Sequence, residues 1–309
     1  MTDKLFDVCG IGNAIVDVLA HCDLDFIDRL SLNKGTMTLI DAARAEELYA
    51  AMGSAVEVSG GSCGNTIAGL ASLGGKGAYI GKVGNDQLGG IFRHDIRAAG
   101  VHFETPSVAS TTPTARSMIF VTPDAERTMN TYLGACVELT PDDVDPRIIQ
   151  HSKVTYLEGY LWDPPLAKQA FLKAADIAHK AGHQVSLTLS DAFCVKRYLK
   201  EFQDLVRDHV DILFANESEI LALWETEDYS RAVAITRESC DLAALTRSEK
   251  GSLIVAGETV VEIPAWPVGR VVDLTGAGDL YAAGFLFGYT QGRDYATCGR
   301  IAALCAGEI

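Results

Sequence analysis

Asp279 closes the segment of this chain with the clearest chemical reading. An extended run, Val271-Val-Asp-Leu-Thr, enters the turn Gly276-Ala277-Gly278, and the apolar stretch after it reads as a helix over 279–290. Small residues in that turn let the backbone come close to a ligand. The free N–H groups at a helix start point at that ligand, and the helix dipole favours an anion. Asp279 stands in the first helical turn, beside the place where the anion would bind. A carboxylate there can take a proton from an attacking hydroxyl. An aspartate in a first turn also has a plain capping role open to it.

Three other clusters carry polar groups at places where chemistry is done. Gly10-Ile-Gly-Asn13-Ala-Ile-Val-Asp17 follows a strand. Open α/β sheets bind ligands at such strand ends. Asn13 and Asp17 could hold two neighbouring hydroxyls there, or serve as turn and surface residues. Ser59-Gly60-Gly61-Ser-Cys-Gly-Asn65-Thr66 is a glycine-rich turn leading into a helix over 64–73. Asn65 could bond a hydroxyl, and a simple tight turn is the other reading. Asp211-Ile-Leu-Phe-Ala-Asn216-Glu-Ser-Glu219 ends a strand and starts a helix. Asn followed by Glu at the third position is a capping box. It equally fits Glu219 holding water on a Mg²⁺ carried by nucleotide phosphates. A dinucleotide fingerprint is disfavoured at Gly10-x-Gly12, since close helix packing wants a small residue at position 15 and the chain has Ile15.

These clusters need a scaffold, and the apolar pattern supplies one. Strands are expected at 6–12, 77–84, 153–159, 184–190, 211–216, 242–247 and 252–257. Helices are expected at 41–52, 64–73, 87–99, 165–181, 194–208, 216–224 and 279–290. Near-continuous apolar strands alternating with helices predict an α/β fold, with a mostly parallel central sheet covered on both faces. Segments 14–40 and 110–135 break the rhythm with polar–apolar alternation, as in Thr114-Ala-Arg-Ser-Met-Ile-Phe-Val121. That alternation suits half-exposed strands, read here as a small β lid on the body. A lid suits a reaction that must exclude water.

Composition narrows the partners. The 309 residues carry a formal net charge of -15, from 26 Lys+Arg against 41 Asp+Glu. An extended nucleic-acid or anionic-membrane surface needs clustered positive charge, so neither partner is expected. A small phosphate site built from backbone N–H groups remains open. The eight cysteines are scattered with no C-x-x-C pair, which fits free thiols in a reducing compartment. The acidic N-terminus is unlike a signal peptide, and the longest apolar stretch, Leu280–Tyr289, is too short to span a bilayer. A cytoplasmic enzyme is expected.

Together the motifs resemble the ribokinase-like carbohydrate kinases, the PfkB family. The resemblance rests on Gly60-Gly-x-x-x-Asn65, Gly81-Lys-Val-Gly-Asn-Asp86-Gln-Leu-Gly89, Asn216-x-x-Glu219 and Asp273-x-x-Gly-Ala-Gly-Asp279, in the family's order across nearly the whole chain. It implies a three-layer ribokinase-like sandwich as one domain over 1–309, with a β lid, ATP as donor and Mg²⁺. It further implies Asp279 as catalytic base, the backbone of Gly276, Ala277 and Gly278 as anion hole, and Gly60, Gly61 and Asn65 in the acceptor site. On the nucleotide side it implies Asn216, Thr246, Gly251, Gly276 and Gly278, with Glu219 on Mg²⁺ through water. Asp273 is similar to one ligand of a monovalent cation site, so K⁺ is a further expectation.

Within the family, three features resemble its adenosine-phosphorylating branch: the four-residue spacing of Asn13 and Asp17, the segment Val210–Glu219, and Leu187-Thr-Leu-Ser-Asp-Ala-Phe193. That likeness implies Phe193 against a purine, Met37 closing the other side, and Arg127 of the lid near the phosphates. It makes a nucleoside, adenosine first, the expected acceptor. A ribokinase- or fructokinase-type sugar kinase, or a binding protein without catalysis, is the alternative. A monomer or homodimer is expected. The pattern departs at Ser248, where Thr-x-Gly-x-x-Gly would have glycine, and at Leu274, where threonine is usual. The resemblance also implies a C-terminal segment that is missing after Ile309.

Overall fold

Fourteen strands arise from the apolar runs, and a computed structural model describes them over residues 6–124, 126–266 and 276–308. In chain order they are β1 (Phe6–Ile11), β2 (Ile15–His21), β3 (Met37–Leu39), β4 (Val56–Gly60), β5 (Gly77–Ile80), β6 (His102–Phe103), β7 (Ala115–Val121), β8 (Arg127–Tyr132), β9 (Ser152–Glu158), β10 (Gln184–Thr188), β11 (Ile212–Asn216), β12 (Leu242–Thr246), β13 (Ser252–Ala256) and β14 (Thr259–Ile263). Nine of them form the central sheet in the order β14-β13-β12-β11-β10-β9-β1-β5-β6. It is parallel from β12 to β6, with β13 and β14 added antiparallel at one edge.

Alternate residues of each strand feed two cores. In β11, Leu213 and Ala215 join one core with Phe171, Phe202 and Trp162, while Ile212 and Phe214 join the other with Ile67, Phe92 and Phe285. Helices Pro165–Lys180 and Leu199–His209 cover the first face. Helices Ser62–Ser72, Gln87–Ala98 and Ala277–Thr290 cover the second. The result is a three-layer α/β sandwich. The helix expected over 194–208 is instead two, Ala192–Arg197 and Leu199–His209, because Tyr198 leaves helical geometry at φ -124 and ψ 36.

The second sheet runs β3-β8-β7-β2-β4. Segments 14–40 and 110–135 supply β2, β3, β7 and β8. They also hold the helix Leu24–Arg29. β4 is a fifth strand that the short run Val56-Glu-Val-Ser-Gly60 does not announce. Strand period sorts this sheet's side chains. Val16, Val18, Met118 and Phe120 are buried on one face. The other face carries two cross-strand rows, Asp17–Ser117–Thr131–Leu39 and Leu19–Ile119–Met129–Met37. Asp86 ties this sheet to the body: it caps Gln87–Ala98 through Gly89 N–H and accepts from Thr114 N–H just before β7.

Candidate active site

One cavity of about 420 Å³ lies where β1, β9, β10, β11 and β12 end, lined also by residues of the two cross-strand rows of the second sheet. Ligands bind at this edge of open α/β sheets because strand ends release polar groups from the ladder. Asn13, Glu158, Thr188, Asn216 and Thr246, from the ends of five strands, all line it.

Asp279 sits on its wall. Gly276 caps the helix Ala277–Thr290 at φ 82, a left-handed conformation that glycine tolerates best. The first intrahelical bond of this turn is Leu280 N–H to Gly276 O. The N–H groups of Ala277, Gly278 and Asp279 thus precede the helical ladder. Asp279 Oδ1 accepts from Ser62 Oγ at 2.7 Å, and Oδ2 accepts from Asn65 Nδ2 at 3.1 Å. Burial pushes its pKa up to about 6, against the lowering effect of those two bonds. A carboxylate that titrates there is ionised at neutral pH yet basic enough to take a proton.

Asn13 and Asp17 also line the cavity, next to the same Gly60–Asn65 turn that holds Asp279. Asn13 is 2% exposed, and its Nδ2 donates to Glu158 Oε1 at 2.7 Å. Glu158, the last residue of β9, also accepts from Cys63 N–H at 2.9 Å. Burial raises its pKa to about 7. The Asp17 carboxyl packs on Gly60, where a Cβ would stand 2.3 Å from Oδ2. Its pKa rises to about 7, chiefly through burial; Arg127 lowers it, which places that guanidinium within electrostatic reach of the carboxyl. Gly61, at φ 84, starts the helix Ser62–Ser72, and a Cβ there would meet Asn13 O at 2.4 Å.

Apolar and aromatic groups make the remaining walls: Ile15, Met37, Leu39, Ile119 and Met129 from the second sheet and Leu133 just after β8, with Tyr160 and Phe193 from the body. Phe193 belongs to the short helix Ala192–Arg197 and is 75% exposed, so it is no core aromatic. Among the polar wall groups, Ser117 and Thr131 share a hydroxyl–hydroxyl bond of 2.9 Å.

At the other end of the cavity lie Asn216, Glu219, Thr246 and Tyr281. The capping box is formed: Asn216 Oδ1 accepts from Glu219 N–H, and Glu219 Oε2 accepts from Asn216 N–H, both at 2.9 Å. Its carboxyl nevertheless lines the cavity, with burial raising the pKa to about 7. Glu219 Oε1 accepts from Asn216 Nδ2 at 2.6 Å, and the lone pairs beyond these bonds are what the water of a divalent cation would use. Capping and cation binding are therefore compatible in Glu219. Gly251 does not line the cavity. It turns β12 into β13 at φ 83, with a would-be Cβ 2.1 Å from Ile263 O. Asp273 lies outside the described residues.

The cavity also uses residues that sequence reasoning missed. Ser62 looks like one more turn residue, Glu158 like the end of a buried strand, and Tyr160 like a loop aromatic. The Glu158-Gly-Tyr160 break in an otherwise apolar run signals the last two, and nothing singles out Ser62.

An α/β body with a second, smaller sheet and a carboxylate raised in pKa by burial beside a helix N-terminus is the architecture of an α/β enzyme with its cavity at the strand ends. Residues 34–309 match the sequence model of the pfkB family carbohydrate kinases, and the chain belongs to that family. It is an ATP-dependent kinase. It is similar to the solved adenosine kinase from Sinorhizobium meliloti, at 59% identity and a TM-score of 0.91, over 98% of this chain and 93% of that one. It is also similar to a solved probable sugar kinase from Rhizobium etli CFN 42, at 55% identity and a TM-score of 0.91, over 98% and 92%. The adenosine kinase of Saccharomyces cerevisiae is 25% identical over 93% of this chain and 89% of its own length. The family implies ATP and Mg²⁺.

Proposed function

We propose that this kinase transfers the γ-phosphoryl group of ATP to the 5′-hydroxyl of a ribonucleoside, with adenosine preferred. The observation that carries the reading is the pairing of two unlike walls in one cavity. Asn13 and Asp17 offer hydrogen-bonding groups suited to a vicinal diol, and Tyr160, Phe193 and the Met37–Met129 side offer apolar surface suited to a flat base. A bare sugar has no use for the second wall. The names of the Sinorhizobium and yeast relatives support the same acceptor.

The chemistry follows from the helix start. Asp279 takes the hydroxyl proton as the oxygen attacks, held in register by Ser62 and Asn65. The N–H groups of Ala277 and Gly278 stabilise charge on the phosphoryl in flight. Positioning and electrostatics are what phosphoryl transfer requires. Mg²⁺, when bound with ATP, neutralises phosphate charge; Glu219 and Asn216 are the residues that would hold its water. Apolar side chains of the second sheet exclude water above the acceptor. The test is ADP release with Mg-ATP across a panel of nucleosides and sugars. Turnover of adenosine at least tenfold above every sugar is the expected result, and preferred turnover of ribose or fructose refutes the proposal.

A further inference from the structure

Glu158 is a buried carboxylate that the reaction above does not use. It is 1% exposed, and three N–H groups converge on it. Asn13 Nδ2 stands 2.7 Å and Asn13 N 3.4 Å from Oε1, and Cys63 N stands 2.9 Å from Oε2. Gly12 makes room for it, since a Cβ there would fall 2.5 Å from Oε2. No lysine or arginine pairs with it among the described salt bridges.

We propose that Glu158 is a positioning residue that fixes the Asn13 amide with Oδ1 toward the acceptor, so that this subsite takes the proton of a hydroxyl. Backbone N–H groups, which can only donate, face both oxygens, Asn13 N–H at Oε1 and Cys63 N–H at Oε2, so both oxygens act as acceptors here. The end of the Asn13 amide that faces Oε1 must therefore be the NH₂. Turning the amide over would set Oδ1 against Oε1 at hydrogen-bond distance, two acceptors with no proton between them. One Nδ2 hydrogen is committed to Glu158, and Oδ1 is the acceptor that the amide keeps for the cavity that Asn13 lines. The Cys63 N–H belongs to the first turn of a helix and cannot reorient, so it anchors the carboxylate from the far side. Asp17 on the same wall is a second acceptor. Both groups thus ask the acceptor molecule for protons, which a vicinal diol supplies.

The inference rests on the nucleoside reading, but its test separates the two. Adenosine is compared with analogues whose 2′- or 3′-hydroxyl is replaced by fluorine, which keeps the size and removes the proton. In the wild type, at least one analogue should bind ~10-fold or more weakly than adenosine, the loss of a hydrogen bond to a buried acceptor. Glu158→Gln should then invert the arrangement. Cys63 N–H claims the new carbonyl oxygen, the new NH₂ faces Asn13, and the Asn13 amide turns over to present Nδ2. At the hydroxyl whose ratio Asn13→Ala lowers, the hydroxyl-to-fluorine ratio should fall to within ~2-fold of unity, and adding Glu158→Gln to Asn13→Ala should leave the ratio of Asn13→Ala unchanged.

A wild-type ratio retained in Glu158→Gln overturns the proposal, as does a ratio that Glu158→Gln still moves when Asn13 is absent. A merely structural role would scale both ligands alike and leave the ratio fixed. If Glu158→Gln does not fold, the wild type and Asn13→Ala still decide: hydroxyl-to-fluorine ratios that Asn13→Ala leaves unchanged at both positions refute a fixed acceptor at Asn13. A wild type that phosphorylates sugars and no nucleoside sinks the nucleoside reading alone, and the same comparison then runs on deoxyfluoro sugars.

Discussion

Replacing Asp279 with asparagine should cost activity and raise stability together. The substitution keeps shape and removes the charge. As the base that takes the hydroxyl proton, Asp279 should be worth ~10²–10⁴-fold in kcat. The stability effect follows from its raised pKa, about 6 against an ordinary 3.8. A carboxyl held above its unfolded value binds its proton more tightly in the native state, so ionisation weakens the fold. That penalty is absent below about pH 4, grows as pH rises, and is complete above about pH 6. Two pKa units correspond to about 3 kcal/mol. The group is partly solvated, and the amide accepts only one of the two bonds from Ser62 and Asn65, so about 2 kcal/mol of net stabilisation is expected at pH 8. For a chain of this size that is a Tm gain of roughly 4 °C. Calorimetric or fluorescence melts of both proteins at pH 4 and pH 8 measure it, beside kcat and the pH profile of kcat/KM. The wild-type profile should fall as pH drops through about 6, where Asp279 takes up its proton. A variant that keeps more than half the wild-type kcat, or that melts below wild type at pH 8 by the same margin as at pH 4, would refute the reasoning.

Other perturbations probe the remaining walls. Ser62→Ala removes a bond that lowers the Asp279 pKa, so the acid limb of kcat/KM should move to higher pH; an unmoved limb would show that the hydroxyl does not tune the base. Asn13→Ala or Asp17→Ala should raise the acceptor KM ~10-fold or more, a loss of about 1–3 kcal/mol, and leave ATP affinity unchanged. Equal losses for both ligands by calorimetry would mean a structural role. Phe193→Ala should weaken adenosine by ~10-fold through lost ring contact while leaving ribose alone. At 75% exposure the ring supports little of the fold, so Tm should hardly change. An unchanged adenosine-to-ribose affinity ratio would take the purine away from this ring.

The body of the fold was legible because its information is local. Strands such as β9, β11 and β12 bury both faces, so each is a continuous apolar run bounded by turns. Gly276-Ala277-Gly278-Asp279 announces a helix start near an anion whatever surrounds it, since the backbone groups and the carboxylate come from one turn. β4, β6 and β14 were not legible. They are short or edge strands whose place depends on partners distant in sequence. Tyr198 breaks a helix that periodicity runs straight through.

Partnership across the cavity was decided by tertiary structure alone. Ser62 and Asp279 are 217 residues apart, and Asn13 and Glu158 are 145 apart. They meet because β1 lies between β9 and β5, which sets the ends of β1 and β9 side by side, and because the helices Ser62–Ser72 and Ala277–Thr290 pack on the same face of the sheet. Nothing in the residue type of Glu158 or Ser62 records that neighbour. Glu219 makes the same point within one turn: its capping box follows from spacing, whereas its place in the cavity follows from where β11 stops. Sequence fixes what each segment can offer a ligand, and the order of strands in the sheet fixes which offers face one another, since hydrogen bonds and desolvation act over a few ångströms of space and not along the chain.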